Sequence, residues 1–172
     1  MQYGVTAQVL EKLKIKKPLP GTETDLRFCW EVNYASICGK KLLIIVHADT
    51  RYGMVFCDIK PAVWKNFGDF MHEVVRQAFL REGFGEEDVE KYFSLSNEEV
   101  ITKTHGRKAI GGLNHVVATL PFVNKELVEG MFQPLITAWI NREPCCVSTH
   151  PDCEYFFPTE LFVQEMSKLL RN

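Results

Sequence analysis

The spacing of apolar and polar positions changes several times along the chain, and these changes delimit the predicted elements. From Thr6 to Ile15, apolar residues recur every three or four positions, which predicts a short amphipathic helix. From about Leu26 to Ile59, apolar and aromatic residues alternate or run continuously, which predicts β-strands. Because short turns separate three such runs, we expect an antiparallel β-meander over about residues 26–59.

Helical spacing returns after Pro61, which is well placed at the first position of a helix that ends near Gly83. Further helices are predicted at Gly85–Phe93, Leu113–Leu120, Lys125–Ile140 (kinked at Pro134) and Thr159–Leu170, and a short edge strand is predicted at Glu99–Thr104. Strands followed by helices indicate an α+β fold with the helices on one face of the sheet. We expect a single domain over 1–172, in which residues 121–172 are a helical C-terminal extension.

Composition narrows the class of protein. The 172 residues are 46% hydrophobic, and their formal net charge of −2 provides no global positive field for nucleic acid. No apolar run approaches the roughly 18 residues that a membrane-spanning helix needs. The N-terminus lacks the pattern of a signal peptide, so the six cysteines are expected to be thiols in a cytoplasmic protein.

Candidate chemistry is densest between Thr102 and His115, a stretch rich in glycine, histidine and basic residues. A guanidinium, an ammonium and backbone amides at a helix start could together bind a phosphate. The candidate ligand-binding residues are Thr104, His105, Arg107, Lys108, Asn114 and His115. The alternative is a glycine-rich connection, Gly106 to Gly112, whose polar side chains satisfy neighbouring carbonyl groups.

A second cluster of candidates is a cysteine-rich loop near the C-terminus. Its weak candidate metal ligands are Cys145, Cys146, His150 and Cys153. Thiolates and imidazole suit zinc, but adjacent cysteines point apart and paired C-x-x-C knuckles are absent. We therefore predict a loop of reduced thiols, with no metal and no cofactor.

The order of these segments resembles a family of small bacterial proteins classified as a domain of unknown function. Thr6 to Leu13 is similar to its Thr-Lys-Lys-Leu-Leu opening helix, Trp30-Glu-Val-Asn33 to its tryptophan strand, and Ile45 to Thr50 to its Phe-Val-Asn-x-x-Thr strand end. In the family's Asn-Arg-Ser-x-x-Gly-Ser-Met-Asn-Asp hallmark, Arg107, Gly111 and Asn114 match, whereas Lys108, Gly112 and His115 depart from it. The resemblance covers about residues 6–120 and implies a fold rather than an activity.

The absence of paired acids, a coherent metal-ligand set or a catalytic triad favours a non-enzymatic protein. The leading hypothesis is a cytosolic interaction protein, encoded by a phage or mobile element, that binds a protein partner or a second copy of itself. Its candidate anchors are Trp139, Tyr155, Phe156 and Phe157. One alternative is an enzyme acting on a phosphorylated small molecule at the His105–Asn114 loop. The other is a nucleic-acid-binding module that uses a local basic patch of Lys14, Lys16, Lys17, Lys40, Lys41, Arg51, Lys103, Arg107 and Lys108.

Overall fold

A computed structural model describes residues 1–96, 98–146 and 155–171 of the chain. Its five strands are β1 (Gln2–Val5), β2 (Cys29–Ile37), β3 (Lys40–His47), β4 (Gly53–Cys57) and β5 (Val100–Lys103). The helices over the described residues are α1 (Ala7–Leu13), α2 (Pro61–Lys65), α3 (Phe67–Arg81), α4 (Glu86–Leu95), α5 (Arg107–Val123), α6 (Pro134–Ile140) and α7 (Pro158–Arg171). No helix in this described part is long and apolar enough to cross a membrane.

The strands form one mixed sheet in the order β4-β3-β2-β1-β5. Strand β3 runs antiparallel to its neighbours β2 and β4, whereas β1 lies parallel to both β2 and β5. The α+β class is confirmed, but an antiparallel meander alone does not describe the sheet. Strand β1 was not predicted from the sequence. It places the first residues of the chain inside the sheet, between β2 and β5.

Helices cover both faces of this sheet, so the prediction that they pack on one face was wrong. Side chains of β3 alternate between two cores: Leu43 and Ile45 lie in one, and Leu42, Ile44 and Val46 in the other. The first core also contains residues of α1, α3, α4 and α7, and the second contains residues of α5 and α6. A continuous apolar run is the pattern expected of a strand that is buried on both faces.

Several helices differ from the predicted ones. The single helix predicted from Pro61 to near Gly83 is divided at Asn66 into α2 and α3. The helix predicted from Leu113 begins at Arg107 instead, so Gly111 and Gly112 lie inside α5 rather than in a loop. Pro121 does not end this helix, which continues to Val123. The predicted Lys125–Ile140 helix is also wrong, because α6 starts at Pro134, and proline suits the first position of a helix since it has no N–H to leave unpaired there.

The C-terminal third of the chain contributes to both the sheet and the core. Residues Met131 to Gln133 lie along β4, with the Cys57 amide donating to the Met131 carbonyl at 2.7 Å and the Gln133 amide to the Val55 carbonyl at 2.9 Å. Phe162 of α7 is fully buried in the first core.

Candidate functional site

One row of five residues crosses the sheet on the face that helix α5 covers. In register, Gly53 of β4, Val46 of β3, Glu31 of β2, Gly4 of β1 and Thr102 of β5 lie side by side. Because side chains alternate along a strand, this row faces the core opposite to that of Trp30 and Val32. Two of its five members are glycines, so helices and side chains can approach the strands closely here.

Glu31 and His105 form a buried pair above this row. The His105 Nδ1 atom lies 2.6 Å from Glu31 Oε1, and the side chains of the two residues are 2% and 0% exposed, respectively. The backbone amide of His105 also donates to Glu31 Oε1, at 3.1 Å. Strand β5 ends at Lys103, and Gly106 then adopts a positive φ of 89° before α5 begins. This tight connection places His105 over the sheet.

The other ring nitrogen of His105 also faces an oxygen. His105 Nε2 lies 2.8 Å from Gln2 Oε1, which accepts hydrogen bonds from the backbone amides of Thr22 and Glu23 as well. Both ring nitrogens therefore lie within hydrogen-bond distance of oxygen atoms, one of a carboxylate and one of a side-chain amide. The ring is therefore fixed in position by its partners.

The second carboxylate oxygen of Glu31, Oε2, is buried and has no hydrogen-bond partner among the described residues. It occupies space that a side chain at Gly4 would fill, because a Cβ there would lie 2.7 Å from it. Gly21 packs just as closely against the histidine, since a Cβ at Gly21 would lie 2.8 Å from His105 Cδ2. A buried carboxylate oxygen without a hydrogen-bond partner costs free energy of folding, so the placement of Glu31 Oε2 is a distinctive feature of the site.

His105 forms part of the wall of an open cleft of about 630 Å³. The other residues that line the cleft are Glu23, Thr24, Asp25, Leu26, Arg27, Asp49, Arg107 and Lys108. Asp25 and Arg27 neutralise each other through two hydrogen bonds, of 2.9 and 2.7 Å. The Arg27 guanidinium also holds the pKa of the Asp25 carboxyl below its usual value.

The first turn of α5 supplies the basic side of the cleft. Arg107 and Lys108 are exposed there, and neither forms an ion pair within the described parts of the chain. The first amide of this region that bonds back along the helix is that of Ile110, to the Gly106 carbonyl at 3.1 Å. The amides of the preceding turn therefore have no acceptor within the helix and add partial positive charge.

His47 contacts the backbone of Arg27 but does not line the cleft, and it is fully buried. Its Nε2 atom is 3.0 Å from the Arg27 carbonyl oxygen, and its Nδ1 atom is 2.9 Å from the Thr50 hydroxyl. The ring must donate to the carbonyl, and it can accept from the hydroxyl only when it is neutral. Burial lowers the pKa of His47 below its ordinary value and outweighs the opposing effects of its Arg27 hydrogen bond and of Asp49.

The structure brings three of the six predicted ligand-binding residues together at the cleft: His105, Arg107 and Lys108. Thr104 is half-buried beside them in the chain. Asn114 and His115 are exposed on α5 but do not line the cleft, because Asn114 lies seven residues after Arg107, about 10 Å further along the helix axis.

The predicted ligand-binding residues did not include Glu31, Gln2 or the Asp25–Arg27 pair, and Glu31 was considered only as an isolated carboxylate. The only available signal was an acidic residue between Trp30 and Val32 in a strand that is otherwise largely buried. That position also fits an ordinary solvent-facing residue, because the partner of Glu31 lies 74 residues further along the chain.

No group of three histidine, cysteine, aspartate or glutamate residues is arranged to hold a metal ion in the part of the chain that is described. Cys145 is buried in a small apolar cluster with Leu161 and Phe156, and Cys146 is exposed. His150 and Cys153, the other two weak candidates, lie outside the described residues.

Comparison with known families shows to which family the chain belongs. The sequence profile of a domain of unknown function, DUF6933, matches residues 2–161. The chain belongs to this family. The match extends the resemblance of residues 6–120 in both directions, so DUF6933 includes β1 and most of the segment interpreted as an extension. No curated protein and no solved structure matches the chain.

Two of the motif resemblances have structural counterparts in this DUF6933 chain. Thr6, before the opening helix, donates its hydroxyl proton to Asn33 Oδ1 in the tryptophan strand at 2.9 Å. Thr50 contacts the His47 ring at the end of β3. These residues join neighbouring elements and do not line the cleft.

Proposed function

We propose that this protein binds a small phosphorylated molecule that also carries hydroxyl groups, in the cleft between Arg27 and the first turn of α5. The observation that supports this proposal is the convergence of Arg107, Lys108 and the first amides of a 17-residue helix on one open cleft. A guanidinium offers two parallel donors to a phosphate, an ammonium adds a point charge, and helix amides complete the coordination.

Two acids of the cleft, Asp49 and Glu23, favour a ligand with hydrogen-bond donors. Glu23 Oε1 already accepts from the backbone amides of Thr24 and Asp25, at 2.8 and 2.9 Å, so Asp49 and the other Glu23 oxygen are the acceptors for sugar or polyol hydroxyl groups. A bare inorganic anion would be repelled by these acids, whereas a phosphorylated polyol presents opposite chemistry at its two ends. Both ring nitrogens of His105 are already engaged, so this histidine shapes the cleft and is not positioned to transfer a proton to a ligand.

Isothermal titration with ribose 5-phosphate and with ribose tests the proposal. We expect saturable binding of the phosphorylated sugar and at least about 10-fold weaker binding by Arg107→Ala and by Lys108→Ala, since each loses a charged hydrogen-bond donor. Lys41→Ala, which removes an exposed lysine of β3 outside the cleft, is the matched control and should bind as the wild type does. Equal binding of ribose and ribose 5-phosphate, or unchanged binding by Arg107→Ala, would overturn it.

A second candidate function is association through a protein partner, and exposed apolar residues on α6 favour it. Leu135 and Trp139, four residues apart on one helix face, are 50% and 38% exposed. Contiguous exposed apolar surface marks interaction sites. We propose a second copy of the chain as this partner. Light scattering should then give a dimer mass for the wild type and a monomer mass for Trp139→Glu; a monomeric wild type would exclude self-association. A cytosolic location and an origin in a mobile element remain predictions from the sequence.

A further inference from the structure

A second cavity lies on the opposite side of the sheet, where helix α3 passes the edge strand β4. It has a volume of about 280 Å³ and is separate from the cleft described above. Its lining is formed by Met54, Phe56, Phe70, Glu73, Val74, Gln77, Arg81, Met131 and Phe132. Most of these residues are apolar, and the polar ones come from a single face of α3.

The wall formed by Met131 and Phe132 is held in place by buried hydrogen bonds. Gln133 is fully buried, and its side-chain nitrogen donates to the Gly130 carbonyl at 2.8 Å and to the Val128 carbonyl at 3.1 Å. Its side-chain oxygen accepts from the Val128 amide at 2.9 Å. Together with the backbone bonds to β4, these contacts prevent the segment from closing onto α3 and filling the space.

Aromatic rings and flexible thioethers form the interior. Phe56 packs against Phe70 with ring centroids 5.3 Å apart and against Phe132 at 5.4 Å. Met54 and Met131 complete the lining, and methionine side chains adapt readily to the shape of an apolar guest. Such a lining favours a ring or a short hydrocarbon chain.

A cation at the rim of the cavity indicates that the expected ligand carries a negative charge. The Arg81 guanidinium lies over the Phe132 ring, 4.7 Å from its centroid, and pairs with no carboxylate among the described residues. The rim carboxylate, Glu73, is already engaged: its Oε1 accepts from Arg76 at 3.1 Å and from Gln77 at 2.7 Å. Arg81 is therefore the charged group at the mouth of the cavity that pairs with no described carboxylate.

From this arrangement we propose that the cavity binds a small aromatic or aliphatic monocarboxylate. The apolar part lies among Phe56, Phe70 and Met131, and the carboxylate pairs with Arg81. The volume is just below the range of about 300–1,000 Å³ that is typical of small-molecule pockets, so the ligand is limited to one ring or a short chain. This site is independent of the phosphate-binding proposal, and Arg107→Ala should leave it unchanged.

Titration with 3-phenylpropionate, compared with its neutral amide, tests the proposal. We expect the wild type to bind the acid at least about 10-fold more tightly than the amide, since only the acid forms a charged pair with the guanidinium. Arg81→Gln should reduce the affinity for the acid to that for the amide. Lys65→Gln, which removes an exposed positive charge on α2 outside the cavity lining, is the matched control and should behave as the wild type does.

The location is tested separately from the charge preference. Met131→Trp should fill the cavity and abolish binding of both compounds while the circular dichroism spectrum stays unchanged. If this variant does not fold, ¹³C-methyl spectra of the wild type replace it: the Met54 and Met131 signals should shift on titration, and the Met1 signal should not. Equal affinity for acid and amide, unchanged binding by Arg81→Gln, or methyl shifts elsewhere would overturn the proposal.

Discussion

Glu31 places a carboxylate inside the sheet, and its surroundings determine which substitutions the neighbouring strand tolerates. Gly4→Ala would add a Cβ 2.6 Å from Glu31 Oε1 and 2.7 Å from Oε2, so the carboxylate and His105 would have to move. We expect unfolding by urea to show a loss of about 1–3 kcal/mol in stability, the usual cost of overpacking. The displacement of Glu31 and His105 should also change the chemical shifts of the His105 ring.

Gly68→Ala is the matched control for this substitution. Gly68 lies in α3, and a Cβ there would meet no atom within 4 Å. Alanine in a helix is favoured over glycine by roughly 0.5–1 kcal/mol, so this variant should be slightly more stable than the wild type. If Gly4→Ala were as stable as the control, the close packing of Glu31 against β1 would be incorrect.

His47 makes stability depend on pH in a defined direction. Its folded-state pKa lies below the ordinary value of 6.5, because burial disfavours the imidazolium. Above pH 6.5 the residue is neutral in both the folded and the unfolded chain and has no effect on stability. As the pH falls below 6.5, only the unfolded chain takes up the proton, so this residue lowers stability by up to about 1.4 kcal/mol per pH unit until the folded-state pKa is reached.

The comparison of wild type with His47→Gln isolates this contribution. A glutamine amide can still donate to the Arg27 carbonyl but does not titrate. Urea unfolding between pH 7.5 and 5.5 should therefore show a shallower loss of stability for the variant than for the wild type. Parallel pH profiles for the two proteins would contradict a buried, neutral His47.

At the scale of secondary-structure elements, the sequence indicated strands β2 to β4 but gave no sign of β1 or of its pairing with β2 and β5. The run from Leu42 to Val46 predicted β3 correctly because its apolar side chains serve both cores. Strand β1 has four residues, one of them a glycine, and its place between β2 and β5 depends on pairings with residues 27 and 98 positions away. Local pattern carries no information about such partners.

The start of α5 was also predicted wrongly, because its two adjacent glycines were interpreted from local sequence alone. Two adjacent glycines indicate a loop in isolation, but Gly112 is the point where the helix contacts β3 and the turn that follows it. A Cβ at Gly112 would lie 2.8 Å from Arg51 Cγ and 3.2 Å from Val46 Cγ1. Tertiary contact therefore stabilises a helix that local preference opposes, and the same contact brings Arg107 and Lys108 to the cleft.

The two glycines of α5 should consequently respond differently to alanine. At Gly111 the nearest atom to an added Cβ is Arg51 Nη2 at 3.7 Å, an ordinary contact, so Gly111→Ala should stabilise the protein by roughly 0.5–1 kcal/mol. Gly112→Ala should be destabilising, because the stem of Arg51 would have to move away from the helix. Thermal unfolding of the two variants side by side measures the difference. A stabilised Gly112→Ala would show that α5 does not approach Arg51 this closely.

For the whole molecule, α7 determines whether the fold can exist without its C-terminal part. Phe162 contacts aromatic rings from several elements at once: Trp30 of β2, His47 of β3, Tyr52 before β4, and Phe79 of α3. A chain ending before Pro158 would leave these rings without their common partner. We therefore expect residues 1–157 alone to lack a cooperative unfolding transition, in contrast to an independent core with a dispensable extension.

A single substitution tests the same dependence without truncation. Phe162 is fully buried, and Phe162→Ala should lower the free energy of unfolding by about 3–5 kcal/mol, a large share of the 5–15 kcal/mol that typically stabilises a domain. Phe122→Ala removes an equal ring that is 84% exposed, and its effect should stay within about 0.5 kcal/mol. Because the rings around Phe162 belong to α3 and three segments of the sheet region, the loss should appear as one lower transition midpoint for all spectroscopic probes. Separate transitions for α7 and the sheet would mean that the C-terminal helix docks on a core that is stable by itself.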